Sequence, residues 1–191
     1  MPGPVQAIAE WLSLSIEEPR KTGASQLIAE EVARGFHELR APLLRYTMSL
    51  GLPAEDGEDV VQEVFLQLFR HLLQRKSRQN LRAWIFRVTH NLALKRRLTI
   101  QRNSREPVVA SVEWMLQDPG LTPEEQAARA RQQVSLWAAV QALPERDRCC
   151  LNLRAEGLQY REIAATLGIS LGTVASSLSR SLLKLSRVAE R

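Results

Sequence analysis

Residues 160–180 read YREIAATLGISLGTVASSLSR, and this stretch decides the fold of the C-terminal part of the chain. Gly168 lies between two short apolar patterns, and glycine accepts the left-handed backbone of a tight turn at little cost. Ala164 is small enough to let two helices touch, while Val174 and Leu178 recur at helical spacing on the second segment. The stretch therefore predicts two helices joined by a tight turn.

The second of these helices carries two different faces, and Ser170 is placed to cap it. The face predicted to pack on the core consists of Leu171, Val174, Leu178, Leu182 and Leu185. A helix-turn-helix turns the opposite face toward the major groove of DNA, whereas an ordinary helical hairpin would leave it in solvent. If the motif binds DNA, its candidate contacts are Thr173, Ser176, Ser177, Arg180 and Lys184.

The rest of the chain is also helical in pattern. We expect one helix from Ser25 and another over 43–50, a third opened by Asp56 and Glu58, and a fourth over 81–98. A Thr-Pro-Glu-Glu start at 122–125 favours a further helix, and no segment alternates as a strand would. We predict an all-α fold of two small helical domains joined by a linker, the C-terminal one a helix-turn-helix. The expected parts are an extension at 1–24, a first domain at 25–102, a linker at 103–121 and a second domain at 122–191.

Charge separates the chain into blocks. Residues 43–105 hold twelve Lys and Arg against five Asp and Glu, and residues 143–191 hold eight against five. The segments 1–42 and 106–142 are net acidic, with four basic against six acidic residues and two against five. Two basic blocks separated by an acidic one suggest two polyanion-binding modules.

The first basic block contains a loop and a helix that could contact nucleic acid. On a helical wheel, Leu81, Trp84, Ile85, Val88 and Leu92 share the arc expected to face the core. Phe86 lies among arginines on the other side, where it either stacks on an unpaired base or packs under the preceding loop. That loop, 71–80, is either a contact for single-stranded DNA or a solvated surface. The candidate contacts are Arg75, Lys76, Arg78, Asn80, Arg82, Phe86, Arg87 and Arg97.

The sequence offers little for catalysis, cofactors or metals. His37, His71 and His90 have no ligand spacing, and there is no acidic pair, phosphate loop or nucleophile constellation. The adjacent Cys149 and Cys150 fit core packing better than thiol chemistry. No apolar run approaches the roughly 18 residues of a membrane span, and the N-terminus lacks a signal-peptide pattern. We expect a cytoplasmic protein that is not an enzyme, without membrane insertion, cofactor or metal.

Several motifs in order resemble one family. DGEDVVQEVFLQLFRH, NLRAWIFRVTHNLALKRRL, an acidic linker and LPERDRCCLNLRAEGLQYREIAATLGISLGTVASSLSR together resemble a two-domain sigma factor of the extracytoplasmic-function type. The resemblance covers about residues 25–190. It implies a first domain that binds the polymerase clamp and melts the downstream (−10) promoter element. It implies a second domain that binds the upstream (−35) element and docks on the polymerase flap.

The resemblance also implies roles for particular residues. The D-x-x-Q-E pattern falls on Asp59, Gln62 and Glu63, which the family uses against the polymerase clamp. These side chains share the helix side away from the apolar residues, so the acidic patch suits a protein partner. The melting surface maps to the loop 71–80 and to Trp84, which we take as structural first, and further to Arg87, Asn91, Lys95, Arg96 and Arg97. The implied partners are core RNA polymerase, promoter DNA and an anti-sigma protein.

Two departures and two alternatives remain open. Lys95 stands where the family usually has an acid, which makes this helix end unusually basic. The family's arginines near Ala175, Ser177 and Ser181 are absent, which removes base readout worth about 1–3 kcal/mol per good pair. The alternatives are a stand-alone helix-turn-helix regulator, and a protein-only adaptor that kept the fold without reading DNA.

Overall fold

The computed structural model describes residues 23–103 and 123–189. Within these two ranges every regular element is an α-helix, in agreement with the predicted all-α class. The predicted extension and linker fall almost entirely outside the described residues. The helices are α1 (Gly23–Ser49), α2 (Ala54–Leu73), α3 (Leu81–Asn103), α4 (Pro123–Gln141), α5 (Glu145–Ala155), α6 (Tyr160–Leu167) and α7 (Leu171–Ala189).

Helix α1 replaces the two helices predicted between residue 25 and residue 50, and it runs through Pro42 without ending. A proline inside a helix removes one backbone hydrogen bond and costs about 3 kcal/mol. The buried stripe of α1 continues across the proline, with Phe36 and Leu39 on one side and Leu43 and Tyr46 on the other. Because both halves pack on the same core, the burial of this stripe outweighs the local cost.

Helix α2 packs closely on α1. Its buried residues recur at three- and four-residue steps and include Val61, Val64 and Phe65. The Phe65 ring meets Phe36 edge-on, with 5.1 Å between ring centroids. Near its start, a Cβ atom on Gly57 would lie 2.6 Å from Thr47 Oγ1, so the two helices approach at a point where only glycine fits.

The tight turn at Gly168 forms where the sequence predicted it. Gly157 and Gly168 both adopt positive φ, 87° and 65°. Gln159 and Glu162 form a reciprocal capping box at the start of α6. The Thr173 N–H donates to Ser170 Oγ at 3.1 Å, which confirms the predicted cap of α7.

The two domains share a continuous core. Helix α6 packs against α3, and α5 packs against α1. Tyr46 of α1 meets Phe86 of α3 edge-on at 5.8 Å. Burial raises the pKa of Tyr46 well above its usual value, and the nearby Cys149 and Cys150 raise that pKa further. This junction is therefore built from a first-domain aromatic cluster and second-domain cysteines.

Ion pairs surround the junction. Arg45 makes a bidentate contact with Glu156, at 2.9 and 2.7 Å. Arg82 donates to the backbone carbonyl of Glu156 at 2.5 Å, and Arg97 donates to Glu145 at 2.5 Å. Both glutamates thus receive arginines from the first domain.

Candidate nucleic-acid interface

The faces of α7 are rotated from those predicted. Its buried residues are Val174, Ser177, Leu178 and Ser181, whereas Leu171 and Leu182 are exposed. The predicted stripe was therefore right at Val174 and Leu178 and wrong at Leu171 and Leu182. The outward side of the helix carries Gly172, Ser176, Ser179, Leu183 and Arg187, of which four are small or basic.

Ser177 was predicted to face DNA, but its side chain is fully buried. Serine can enter a helix interface because its hydroxyl finds a partner on its own helix or on the helix it packs against. Ser181 Oγ donates to the Ser177 carbonyl at 2.8 Å in this way. Burial removes Ser177 from the outer surface, and Thr173 is half-buried beside Ser170, while Ser176 and Lys184 are exposed.

Arg180 lies on the flank of α7 and pairs with Asp147 of α5, within the second domain. Its Nη2 donates to the two carboxylate oxygens of Asp147, at 3.2 and 3.4 Å. Asp147 is only 3% exposed, although aspartate is rarely buried without a partner. Arg180 is thus held by a buried carboxylate rather than left free on the surface.

Helix α3 has one free side and one side covered by the second domain. Arg87, Asn91 and Lys95 are exposed and recur every four residues, so they form a polar stripe in solvent. Arg82 and Arg97 face the junction, where they bind backbone carbonyls and Glu145. The candidate contacts of this helix therefore divide into two groups.

Phe86 belongs to the covered group. The prediction that it lies on the outer face of α3 is wrong: the ring is 0% exposed and packs against Tyr46, with the Arg82 guanidinium 5.7 Å from its centroid. A buried ring cannot stack on a base in this conformation. The ring lies in the core that both domains share, which a wheel drawn for one helix does not show.

The loop between α2 and α3 is exposed from residue 73 to residue 80. Arg75 and Asn80 both adopt positive φ, 52° and 57°, in the left-handed region. His71 Nε2 lies 2.9 Å from the Ser77 carbonyl, and its ring centroid lies 4.6 Å from that of Trp84. His71 therefore contacts both the loop, through Ser77, and the half-buried Trp84. This contact is consistent with the structural role expected for Trp84.

Two of the loop's basic residues differ in their surroundings. Arg78 donates to Glu31 of α1 at 2.8 Å and remains largely exposed. Lys76 is exposed, and its backbone N–H donates to the His71 carbonyl at 3.3 Å. The loop therefore presents cationic side chains on a backbone anchored at several points.

The acidic patch lies on the outer side of α2. Asp59 and Gln62 are exposed, and Glu63 is half-buried and accepts a bond from Gln67 at 3.0 Å. Arg96, at the end of α3, donates to Asp56 at 2.6 Å and approaches Asp59 at 3.6 Å. Arg96 thus joins the acidic patch to the basic helix, which the sequence did not indicate.

Sequence reasoning missed the acids and the aromatic pair that fix these surfaces. Asp147 and Glu156 were ordinary surface charges by pattern, yet both bind arginines of other helices. Tyr46 and His90 are joined by a bond of 2.9 Å between the hydroxyl and Nδ1. These contacts join residues 33 to 111 positions apart, and no local spacing signals them.

The described residues carry no metal cluster, and both cysteines are buried. In the described ranges, no cluster of three or more His, Cys, Asp or Glu side chains could hold a metal ion. Burial raises the pKa of Cys149 to about 11, so its thiol stays protonated, and Cys150 is also buried. Both cysteines pack in the core, as predicted. Among the described helices, none is long and apolar enough to cross a membrane.

The fold and the surfaces define an all-α, two-domain protein whose second domain is a helix-turn-helix. Residues 36–103 match the family profile of Sigma-70 region 2, and residues 133–185 match that of Sigma-70, region 4. The chain is 32% identical over 184 residues to the ECF RNA polymerase sigma factor SigE of Mycolicibacterium smegmatis, covering 90% of this chain and 68% of that one. It is 28% identical over 156 residues to the ECF RNA polymerase sigma-E factor of Escherichia coli, covering 78% and 79%. The chain belongs to the extracytoplasmic-function family of RNA polymerase sigma factors, which serve transcription initiation.

Two solved structures share the fold. CnrH, solved in complex with the cytosolic domain of CnrY, superposes with a TM-score of 0.57 at 24% identity, covering 88% of this chain and 98% of that chain. The sigma factor RpoE, solved in complex with the anti-sigma factor NepR from Bartonella quintana, gives a TM-score of 0.62 at 21% identity, covering 84% and 98%.

Proposed function

We propose that this chain binds core RNA polymerase and directs it to promoters by reading a downstream (−10) and an upstream (−35) element, without catalysis of its own. The observation that carries the proposal is the separation of three surfaces on one folded unit. An acidic patch on α2, a basic stripe on α3 with its loop, and the outer side of α7 are all solvent-exposed. Each has a different chemistry and suits a different partner.

The polymerase contact is assigned to Asp59, Gln62 and Glu63. The two carboxylates lie at i and i+4 on a helix whose other side is fully occupied by the core. An exposed acidic patch inside the most basic block repels DNA phosphates, so a protein surface with complementary charge suits it better. Arg96 fixes the geometry at one end of this patch.

The downstream element is assigned to the free side of α3 and to the loop before it. Arg87, Asn91 and Lys95 supply cationic and amide groups every turn, and Arg75, Lys76, Arg78 and Asn80 extend this surface along the loop. Such groups hold phosphates and read base edges of single-stranded DNA. Arg82 and Arg97 join this surface only if the junction between the domains opens.

The upstream element is assigned to α7, with Ser176 and Lys184 as its exposed candidates and Thr173 and Arg180 at the flank. Elements named −10 and −35 lie about 25 base pairs apart, or roughly 85 Å along B-DNA. Domains packed directly on each other cannot reach both at once. Engaging the two elements together therefore requires the domains to separate.

The polymerase assignment is tested with the double variant Asp59→Ala plus Glu63→Ala. Its affinity for core polymerase, measured by fluorescence anisotropy of labelled chain, should fall at least roughly tenfold because two charges of an electrostatic contact are removed. Glu30→Ala plus Glu38→Ala removes two exposed acids of α1 and serves as the matched control. Equal polymerase affinity in wild type and the α2 double variant would refute the assignment.

The scarcity of cations in the first part of α7, where Arg180 is the single Lys or Arg of residues 171–183, favours a second candidate, an adaptor that binds polymerase without reading DNA. The adaptor predicts normal polymerase binding with no promoter-specific initiation. An anti-sigma protein is a further proposed partner. Of the two solved structures that share the fold, CnrH is bound to the cytosolic domain of CnrY, and RpoE is bound to the anti-sigma factor NepR. A cytoplasmic location follows from the proposed role in transcription.

A further inference from the structure

We propose that Asp147 cancels the charge of Arg180, so that residues 171–183 of α7 offer DNA an almost neutral surface. The inference rests on the proposed function and names the residue that sets the strength of its upstream contact. Arg180 is the single Lys or Arg of residues 171–183. Whether the charge of this one side chain is compensated therefore decides the net charge that residues 171–183 of α7 present to a DNA groove.

Asp147 and Arg180 form a partly buried ion pair with direct hydrogen bonds. Asp147 lies in the first turn of α5, is 3% exposed, and receives Arg180 Nη2 at 3.2 and 3.4 Å. The same Nη2 lies 3.4 Å from Ser177 Oγ, and Ser177 is buried. Arg146 Nε is 3.9 Å from the carboxylate, beyond hydrogen-bond distance, and its side chain is 56% exposed.

The carboxylate of Asp147 is ionised at neutral pH. Burial alone would raise its pKa, but hydrogen bonds from Ser177 and Arg180 and the charges of Arg180 and Arg146 lower the pKa below its usual value. Because the group is charged and buried, it needs a cation beside it. Moving Arg180 to a DNA phosphate would leave a buried carboxylate without its hydrogen-bonded cation, so the pair resists exchange.

The consequence is measurable as a salt dependence. Each cation that neutralises a phosphate releases counterions and adds about 0.9 to the slope of log affinity against log salt. A guanidinium already compensated by a fixed carboxylate adds little to that slope. The second domain then contributes by shape and hydrogen bonds, and tethering on polymerase raises the effective concentration of this weak contact.

A double-mutant cycle in the full-length chain tests the inference. The four proteins are wild type, Asp147→Asn, Arg180→Gln and the double variant. The probe is a duplex with the upstream element of a promoter at which the wild-type holoenzyme initiates. Binding is measured by fluorescence anisotropy between about 25 and 200 mM salt, for the free chain and for the holoenzyme. The amide that replaces the carboxylate in Asp147→Asn keeps an oxygen that can accept a bond from Arg180, so far-UV circular dichroism should be that of the wild type.

The expected result is asymmetric. Asp147→Asn should steepen the salt slope by about 0.9 and tighten low-salt binding, because Arg180 becomes a free cation. Arg180→Gln alone should change the slope by less than about 0.3, and combined with Asp147→Asn it should remove the whole gain. Asp147→Glu, which keeps the charge, should retain the wild-type slope. Glu156→Gln removes a second-domain carboxylate that pairs with Arg45 of α1, a residue outside the candidate DNA surfaces, and should leave the slope unchanged.

Two results would overturn the inference. One is an unchanged slope in Asp147→Asn, and the other is a loss of about 0.9 in Arg180→Gln alone, which would show that Arg180 already neutralises a phosphate. If Asp147→Asn fails to fold, the effect of Arg180→Gln in the wild-type background still decides between them. Failure of the proposed function appears separately, as a wild-type holoenzyme that does not initiate at any promoter.

Discussion

Phe86→Ala separates a core role from a DNA role for this ring. The side chain is 0% exposed, packs on Tyr46 and lies in the core shared by both domains. Replacing a fully buried phenylalanine by alanine costs about 3–5 kcal/mol, a large part of the roughly 5–15 kcal/mol that typically stabilises a domain. With a urea m-value of about 2 kcal/mol per M, the unfolding midpoint should fall by roughly 2 M.

The assay is urea unfolding of the full chain, followed by circular dichroism, with Arg87→Ala as the neighbouring control. Arg87 is exposed on the free side of α3, so its replacement should change stability by less than about 0.5 kcal/mol while weakening promoter binding. Phe86→Leu should recover much of the stability because it refills most of the volume. A Phe86→Ala chain as stable as wild type that has lost promoter opening would refute the core assignment and favour base stacking.

Three further predictions concern stability and are checked by the same unfolding assay. Burial lowers the pKa of His90, which is hydrogen-bonded to Tyr46, below the usual 6.5. The unfolded chain therefore binds more protons than the folded chain, and the free energy of unfolding should fall as pH drops from 6.5 toward the folded pKa. His90→Gln should flatten this pH dependence. Gly57→Ala should cost about 1–3 kcal/mol because its Cβ would overlap Thr47. Gly35→Ala is the control: its Cβ would make an ordinary contact with Phe65 Cε1 at 3.6 Å, so the change should be neutral or stabilising. Equal effects of the two substitutions would contradict the close approach of α1 and α2. Ser170→Ala removes the cap of α7 and should cost about 1 kcal/mol, with an unchanged midpoint as the contrary result.

Local rules were sufficient for the turns and caps. Gly168 has the left-handed backbone that its tight turn required, and Ser170 caps α7. These features depend on a few consecutive residues, so a sequence carries them directly. The same rules placed a break near Pro42 that does not exist, because the buried stripe of α1 outweighs one missing hydrogen bond.

Contacts between distant residues could not be predicted. A helical wheel placed Ser177 and Phe86 on the outer faces of their helices. Both side chains are buried in the structure. Both outcomes depend on which helix packs against the face in question. The pairing of Arg180 with Asp147, 33 positions away, likewise requires the fold to be known.

The candidate surfaces were predicted with unequal success. The outward position of Asp59 and Gln62 followed from helix spacing alone, and the structure confirms it. Arg87 was a candidate from the helical wheel, Asn91 and Lys95 came from a family resemblance, and all three are exposed. Their roles in binding polymerase and DNA stay predictions, because geometry supplies the surface and not the partner.

Promoter-directed initiation by this chain is measured by run-off transcription with purified core RNA polymerase, the chain and a template carrying a promoter mapped to it in cells. We expect a discrete transcript that requires the chain, is lost when either promoter element is scrambled, and falls sharply with Asp59→Ala plus Glu63→Ala. A reaction in which the chain binds core polymerase but yields no promoter-specific transcript would refute promoter direction and leave the protein-only adaptor as the function.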